Sequence, residues 1–302
     1  MKIKNKLWQS FTQSYIAIAA GLTLLFFILM AMGAGFLAPQ NPYDPLQIDI
    51  LDSELPPFWQ DGGSERFLLG TDAQGRGVLS TIMYGTGISL LIGIGAVLVQ
   101  AFLGILIGLI AGYRGGWIDS FLMRFADIQL SLSTLMVAII ALAVFQTAFG
   151  ASAYEKFAIF MLIIVIGVAE WPQYARTVRA NVLFEKQKEY VDAAKVSGMG
   201  AIRIMVSHIL PNTLTPVLVI STIQVANAIV SEAALSFLGL GMPVSTPSLG
   251  SLIRSGFEFI FSGVWWITLF PSIVLIALIL SINLLGDWLR DTLNPRLYQK
   301  GS

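Results

Sequence analysis

The chain has 302 residues, 56% of them hydrophobic and 12% charged, with a mean hydropathy of +0.76. Soluble domains carry roughly 25% charged residues, so the composition excludes an ordinary water-soluble globule and indicates a membrane protein. Eighteen basic residues balance eighteen acidic ones, which removes any charge argument for nucleic acid; with no cysteine and one histidine, His208, disulfides and thiolate or His-rich metal sites are excluded.

Residues 1–14 are polar and basic (Lys2, Lys4, Lys6), and an apolar run follows from Tyr15 to about Leu37. That run exceeds the roughly 7–15 residues of a cleavable leader's core and is long enough to cross about 30 Å of hydrocarbon. It reads as a retained anchor. Residues 38–84 are rich in Pro, Asp and Gly (Pro39, Pro42, Pro45, Pro56, Pro57) and contain no stretch able to span a bilayer. Five more apolar runs lie at about 86–112, 121–146, 157–175, 214–233 and 266–286. They are too long and continuous for a half-buried sheet, so an all-α membrane protein with six transmembrane helices is expected.

Basic residues accumulate on the cytosolic side of membrane proteins. With the N-terminus inside, the inner segments hold Lys2, Lys4, Lys6, Arg114, Arg124, Arg176, Arg179, Lys186, Lys188, Lys195, Arg203, Arg290, Arg296 and Lys300. Only Arg66, Arg76, Lys156 and Arg254 remain outside. Both termini and the segment 189–212 are therefore expected in the cytosol. The outer segment 38–84 sets Asp44, Asp49, Asp52, Glu54, Asp61, Glu65 and Asp72 against two arginines. It reads as a solvated acidic loop or as a contact surface for an extracytoplasmic partner.

Glu189–Asn212 (EYVDAAKVSGMGAIRIMVSHILPN) is a polar island in this apolar chain. Ala193 and Ala194 favour helix, Gly198 and Gly200 break it, and Ile202, Met205, Val206 and Ile209 recur at helical spacing up to Pro211. Two short helices joined at a glycine are expected, with Pro211 as the boundary before the next span. An apolar stripe outside the bilayer must be covered by something, which points to a docking knob for a separate motor protein.

The island resembles the signature loop of membrane subunits of binding-protein-dependent ABC importers: an acid followed by Ala-Ala, then Gly, then Leu-Pro, here Asp192, Ala193, Ala194, Gly198, Leu210 and Pro211. Asp192 stands where many members have Glu, and His208 where an aliphatic residue is common. Phe67–Leu90 (FLLGTDAQGRGVLSTIMYGTGISL) is similar to a segment of the second, C-type permease subunit of dipeptide, oligopeptide and nickel importers. Gly70, Thr71, Asp72, Gly75, Arg76, Ser80, Tyr84, Gly85, Ser89 and Leu90 match, whereas Gly77, Thr81 and Gly87 replace Asp, Arg and Arg. Further matches are Glu232–Gly241 (EAALSFLGLG) with Pro243, Pro247, Leu249 and Gly250. The tail also matches, through Asn283–Asp287, Leu289–Asp291 and Asn294–Pro295.

The resemblance implies a type I ABC importer permease fold in a bacterial inner membrane, with an anchor and extracytoplasmic segment over 1–84 and a permease core over 85–298. It implies a homologous second permease subunit as a heterodimer partner, two ATP-binding cassette subunits and an extracytoplasmic solute-binding protein. ATP and Mg would be bound by the cassette subunits, with no cofactor, metal or catalytic residue in this chain. The coupling contacts it implies are Glu189, Asp192, Ala193, Ala194, Gly198, His208, Leu210 and Pro211. Peptides are the expected cargo, with nickel or another small solute as the alternative.

Other features carry two readings. Gly70–Gly77 has the glycine spacing of a phosphate loop but lacks the Lys-Ser/Thr that holds terminal phosphates, so it reads as a turn. Gly104, Gly108 and Gly112 share one helix face, either as a seam with a partner subunit or as internal packing. Asp127, beside Arg124, and Glu170, before Trp171-Pro172, read as interfacial. Glu232 is the best candidate to face a water-filled path, because its helix continues into the apolar LSFLGLG run. His208 is a contact or solvated residue rather than a pH switch, and Gly301-Ser302 carries no weight. An ion-driven secondary transporter would show related halves and midplane charges, and neither is evident. A purely structural membrane protein would not need the amphipathic island.

Overall fold

A computed structural model describes residues 10–293; Lys2, Lys4, Lys6, Asn294-Pro295, Arg296, Lys300 and Gly301-Ser302 lie outside them. Helices α1 (Tyr15–Met32), α2 (Val78–Arg114), α3 (Gly116–Ser131), α4 (Thr134–Phe149) and α5 (Ala151–Glu185) come first. They are followed by α6 (Glu189–Val196), α7 (Ala201–Ile204), α8 (Leu210–Phe237), α9 (Leu249–Phe257) and α10 (Trp266–Leu293). No strand occurs among the described residues; Thr71 and Gly77 form one isolated bridge.

Local chemistry fixes the ends. Ser14 caps α1 by accepting from the Ala17 amide at 3.3 Å. Gly115 (φ +69°) closes α2, and Gly150 (φ +82°) separates α4 from α5. At about 1.5 Å per residue, the 37 residues of α2 reach about 55 Å, well beyond the hydrocarbon core. The 35-residue α5 does the same.

Among the described residues five helices are long and apolar enough to cross a membrane; the pair α3–α4 makes a sixth span only if counted as one. That pair corrects the expectation of a continuous helix over 121–146, because the two helices meet at 88°. Leu132 and Ser133 both adopt extended backbone, which ends one helix and starts the next. The reason lies in the first half. Asp119 and Asp127 pair with Arg179 and Arg176 of α5, so α3 keeps a polar face, whereas α4 carries no charge at all.

The α2–α5 pair is the spine of the core. Gly104, Gly108 and Gly112 face α5 of the same chain. A Cβ at Gly104 would fall 2.2 Å from the Tyr174 Cβ, one at Gly108 2.5 Å from the Ala175 carbonyl oxygen, and one at Gly112 2.8 Å from the Val182 Cβ. Only glycine allows this approach. A second apolar cluster joins α1, α2, α9 and α10 through Phe27, Ile82, Leu252, Trp266 and Leu278.

The segment between α1 and α2 is tied down by its own polar groups. Asp72 accepts from the amides of Gln74 and Arg76 at 2.9 Å each, and its second oxygen pairs with Arg76 Nε at 2.7 Å. Arg76 Nη1 then donates to the Val244 carbonyl, 168 residues on, at 2.9 Å. Trp266 Nε1 donates to the Thr71 carbonyl at 3.1 Å, and buried Gln40 accepts from the Gly77 amide at 2.7 Å. The phosphate-loop look-alike is thus a turn stapled to the helices around it.

Candidate functional site

The island 189–212 opens with α6, whose first turn carries Glu189 and Asp192 and whose last carries Lys195, in keeping with the helix dipole. Asp192 also pairs with Lys195 at 2.8 Å. The helix closes on a glycine cap: Gly198 (φ +75°) donates its amide to the Lys195 carbonyl at 3.0 Å, and Met199 donates to Ala194 at 3.1 Å. After extended Gly200, α7 begins.

Pro211 is not the boundary that the sequence suggested. The chain passes from α7 through one π-turn, Met205–Ile209, straight into α8, and the Leu210 amide reaches back five residues to the Met205 carbonyl. Proline lacks a donor and its ring presses on the carbonyl four residues earlier. A locally widened turn relieves both, so the helix carries on through the proline.

The island has two faces. Val191, Ala194, Ile204 and Ile209 are buried in the core. Asp192, Ala193, Gly198 and Pro211 face outward; Leu210 is half-buried, as is His208, whose Nδ1 has no partner among the described residues. Val196 is 89% exposed, Ile202 74% and Val206 52%, although none of them lies within a predicted apolar run. A Cβ added at Gly198 or Gly200 would meet nothing within 4 Å.

The knob is mounted rigidly. Glu185, at the end of α5, accepts from Lys188 Nζ and from the Tyr190 hydroxyl at 2.6 Å each. Asn212, on α8, donates to the Tyr190 hydroxyl at 3.3 Å and to the His208 carbonyl at 2.8 Å. Lys186 Nζ donates to the Tyr113 carbonyl at the end of α2, at 2.6 Å. Partial burial and the neighbouring Glu185 carboxylate push the Tyr190 phenol above its ordinary value, so it remains a donor at neutral pH. Sequence reasoning missed this clamp. Its one signal was the density of long polar side chains from Glu185 to Tyr190.

Glu232 has no exposed surface in this chain. Ser236 and Ser89 hydroxyls donate to its two carboxylate oxygens at 2.6 and 3.1 Å, and Ser89 also accepts from the Leu249 amide at 3.3 Å. The residue therefore joins α2, α8 and the start of α9. Glu170 accepts from Thr134 and Gln173, at 2.7 and 2.9 Å, at the entrance to α4.

A bundle of membrane-length helices, with one polar segment stiffly mounted on it and leaving apolar side chains uncovered, defines a multi-pass membrane protein. Residues 104–299 match the family described as the binding-protein-dependent transport system inner membrane component, and residues 5–57 match the N-terminal TM domain of oligopeptide transport permease C. The chain is 38% identical over 295 residues to the dipeptide transport system permease protein DppC of Escherichia coli K12, covering 98% of this chain and 94% of that one. It is 36% identical to the di/tripeptide transport system permease protein DppC of Pseudomonas aeruginosa, covering 97% and 92%. It is 32% identical to the glutathione transport system permease protein GsiD of Pectobacterium atrosepticum, covering 97% and 91%. Among solved structures, the inward-facing MetNI methionine ABC transporter shares the fold, with a TM-score of 0.52 at 18% identity, over 71% of this chain and 97% of that one. This chain belongs to the family of inner-membrane components of binding-protein-dependent transport systems, and is a multi-pass inner-membrane protein.

Proposed function

We propose that this chain is the C-type permease subunit of an ATP-driven peptide importer. It forms half of the translocation path and couples it to separate ATPase subunits. The single observation that carries the coupling is the island 189–212: one face is locked into the core, and the other is glycine-edged and uncovered, with Val196, Ile202 and Val206 exposed among Asp192, Lys195 and Arg203. Its partners are two ATP-binding cassette subunits that bind ATP and Mg, a homologous second permease subunit and an extracytoplasmic binding protein. In this reading α3–α4 counts as one of six spans, and both termini lie in the cytosol with the knob.

The mechanism follows from stiffness. ATP-driven closure of the motor subunits displaces α6 and α7. The Glu185–Tyr190–Asn212 clamp and the unbroken α7–π–α8 helix transmit that displacement as a rigid-body shift. The coupling contacts are Glu189, Asp192, Ala193 and Gly198, with Ala194, His208, Leu210 and Pro211 shaping the mount. Glu232 serves the path by holding α9 against α2. Peptide cargo is favoured over nickel or another solute because the relatives are named for dipeptides, di- and tripeptides and glutathione, all with free ammonium and carboxylate groups.

The test is uptake by the reconstituted importer, with its binding protein and ATPase subunits, of a radiolabelled dipeptide. Uptake that needs ATP and is indifferent to ion gradients is expected; uptake sustained by a gradient after ATP removal would replace this reading with a secondary transporter.

A further inference from the structure

On the face that carries the segment before α2, a cleft of about 570 Å³ opens between that segment, the ends of α4 and α8, the start of α5, and α9. Its size falls within the range of roughly 300–1,000 Å³ usual for small-molecule sites. Three charged side chains line it: Arg254 and Glu258 on α9 and just after it, and Glu155 on α5. Among the described residues none of the three forms an ion pair, although Arg254 and Glu258 are four residues apart on neighbouring turns.

Arg254, itself exposed, lies away from that neighbour. Its guanidinium lies against the backbone of Gly239, where an added Cβ would fall 1.5 Å from Nη1. Gly239 (φ +85°) is the left-handed cap that ends α8, so a side chain there is disfavoured by backbone as well as by space.

The wall behind Arg254 is stiff. The Tyr154 hydroxyl lies 2.6 Å from the carbonyl oxygens of both Leu240 and Gly241. Ser236 accepts from the Met242 amide at 2.9 Å while donating to Glu232 at 2.6 Å, and Arg76 holds the Val244 carbonyl. An unpaired cation on a preorganised wall, with two unpaired carboxylates in the same cleft, is complementary to a small zwitterion.

We propose that this cleft is a transfer site for the incoming peptide, in which Arg254 takes the terminal carboxylate and Glu155 and Glu258 face the terminal ammonium. Gln74 and Gln146, on the same lining, offer neutral donors and acceptors to the peptide bond. Glu232 is then a positioning residue, acting through Ser236 on the wall. The inference rests on the peptide-importer reading above.

It is tested in the complete importer reconstituted in proteoliposomes, with radiolabelled dialanine as probe. Arg254→Gln is expected to lower uptake about tenfold or more, the scale of one charge-assisted hydrogen bond, while Arg254→Lys retains most of it. ATPase stimulation by the loaded binding protein stays at the wild-type level in both. Undiminished uptake by Arg254→Gln overturns the proposal. So does a parallel loss of stimulated ATPase, which would assign Arg254 to docking of the binding protein instead. A wild-type importer without ATP-dependent uptake of dialanine would fail at the underlying reading, and this proposal would fall with it.

Discussion

Two polar regions interrupt this apolar chain, and they treat their charged side chains in opposite ways. The segment between α1 and α2 buries a bonded polar cluster while leaving Leu46, Ile50 and Leu51 exposed: Asp72 and Arg76 are 1% and 4% exposed, and Gln40 and Thr71 are buried with their polar groups bonded. The island 189–212 folds half inward and leaves Val196, Ile202 and Val206 in the open. Buried, mutually bonded polar groups staple the first region to the helices around it, whereas the second buries apolar residues and turns its charges, Asp192, Lys195 and Arg203, outward beside its exposed aliphatic side chains. Glycine use follows the same division. Gly75 is pressed against the Asp49 carbonyl, whereas Gly198 has nothing near it.

The comparison is broken most severely by charging the open face. Ala193→Arg places a long cation where the small exposed alanine sits. ATP-dependent uptake by the reconstituted importer is expected to be lost, with assembly of the membrane subunits intact by size-exclusion chromatography. Uptake at the wild-type rate would show that this face contacts no motor.

Next in size is the staple. Asp72→Asn keeps the acceptor for the two amides but strands the buried Arg76 guanidinium. Removing one partner of such a pair costs about 3–5 kcal/mol. A marked fall in detergent-solubilised thermal stability is expected, partly recovered when Arg76→Met is added, since no charge then remains buried. An unchanged melting temperature for the single variant would mean that the pair is not holding the segment.

Gly198→Ala is gentler, because space is free and only the left-handed backbone resists; that conformation costs a non-glycine residue about 1–2 kcal/mol. The expected outcome is faster hydrogen exchange at the end of α6, with global stability little changed. Smallest in its expected effect on transport is Tyr190→Phe, which removes a hydrogen bond to the Glu185 carboxylate worth about 1.5–3 kcal/mol. Here ATP hydrolysis should persist while peptide carried per ATP falls, because the knob moves without its mount. An unchanged ratio would leave the clamp with a purely structural part.

Legibility from sequence also divides along these lines. The anchor, the long spans and the small-residue core of the island are local in sequence, so Asp192, Ala193, Ala194 and Gly198 could be read directly. Pro211 misled because a proline's usual helix-ending effect is absorbed by a π-turn, which has no composition signal. The run at 121–146 misled because hydropathy does not register a bend; the pairing of Asp119 and Asp127 with α5 was the missing information. The Gly104–Gly108–Gly112 stripe announced a close contact without naming its partner, and only the fold supplies α5. The Glu185–Tyr190–Asn212 clamp left only a density of long polar side chains as its trace, and the Arg254 cleft joins residues far apart in the chain and had no pattern to find.

The most direct test uses the absence of cysteine in this chain. A single cysteine at Val196, 89% exposed on the open face, is coupled by a short bifunctional reagent to cysteines introduced on the membrane-facing surface of the ATPase subunit in the assembled importer. The account predicts efficient cross-linking from Val196→Cys and none from a control cysteine at Ser53, on the opposite polar region. Absence of the Val196 product in every nucleotide state would contradict it.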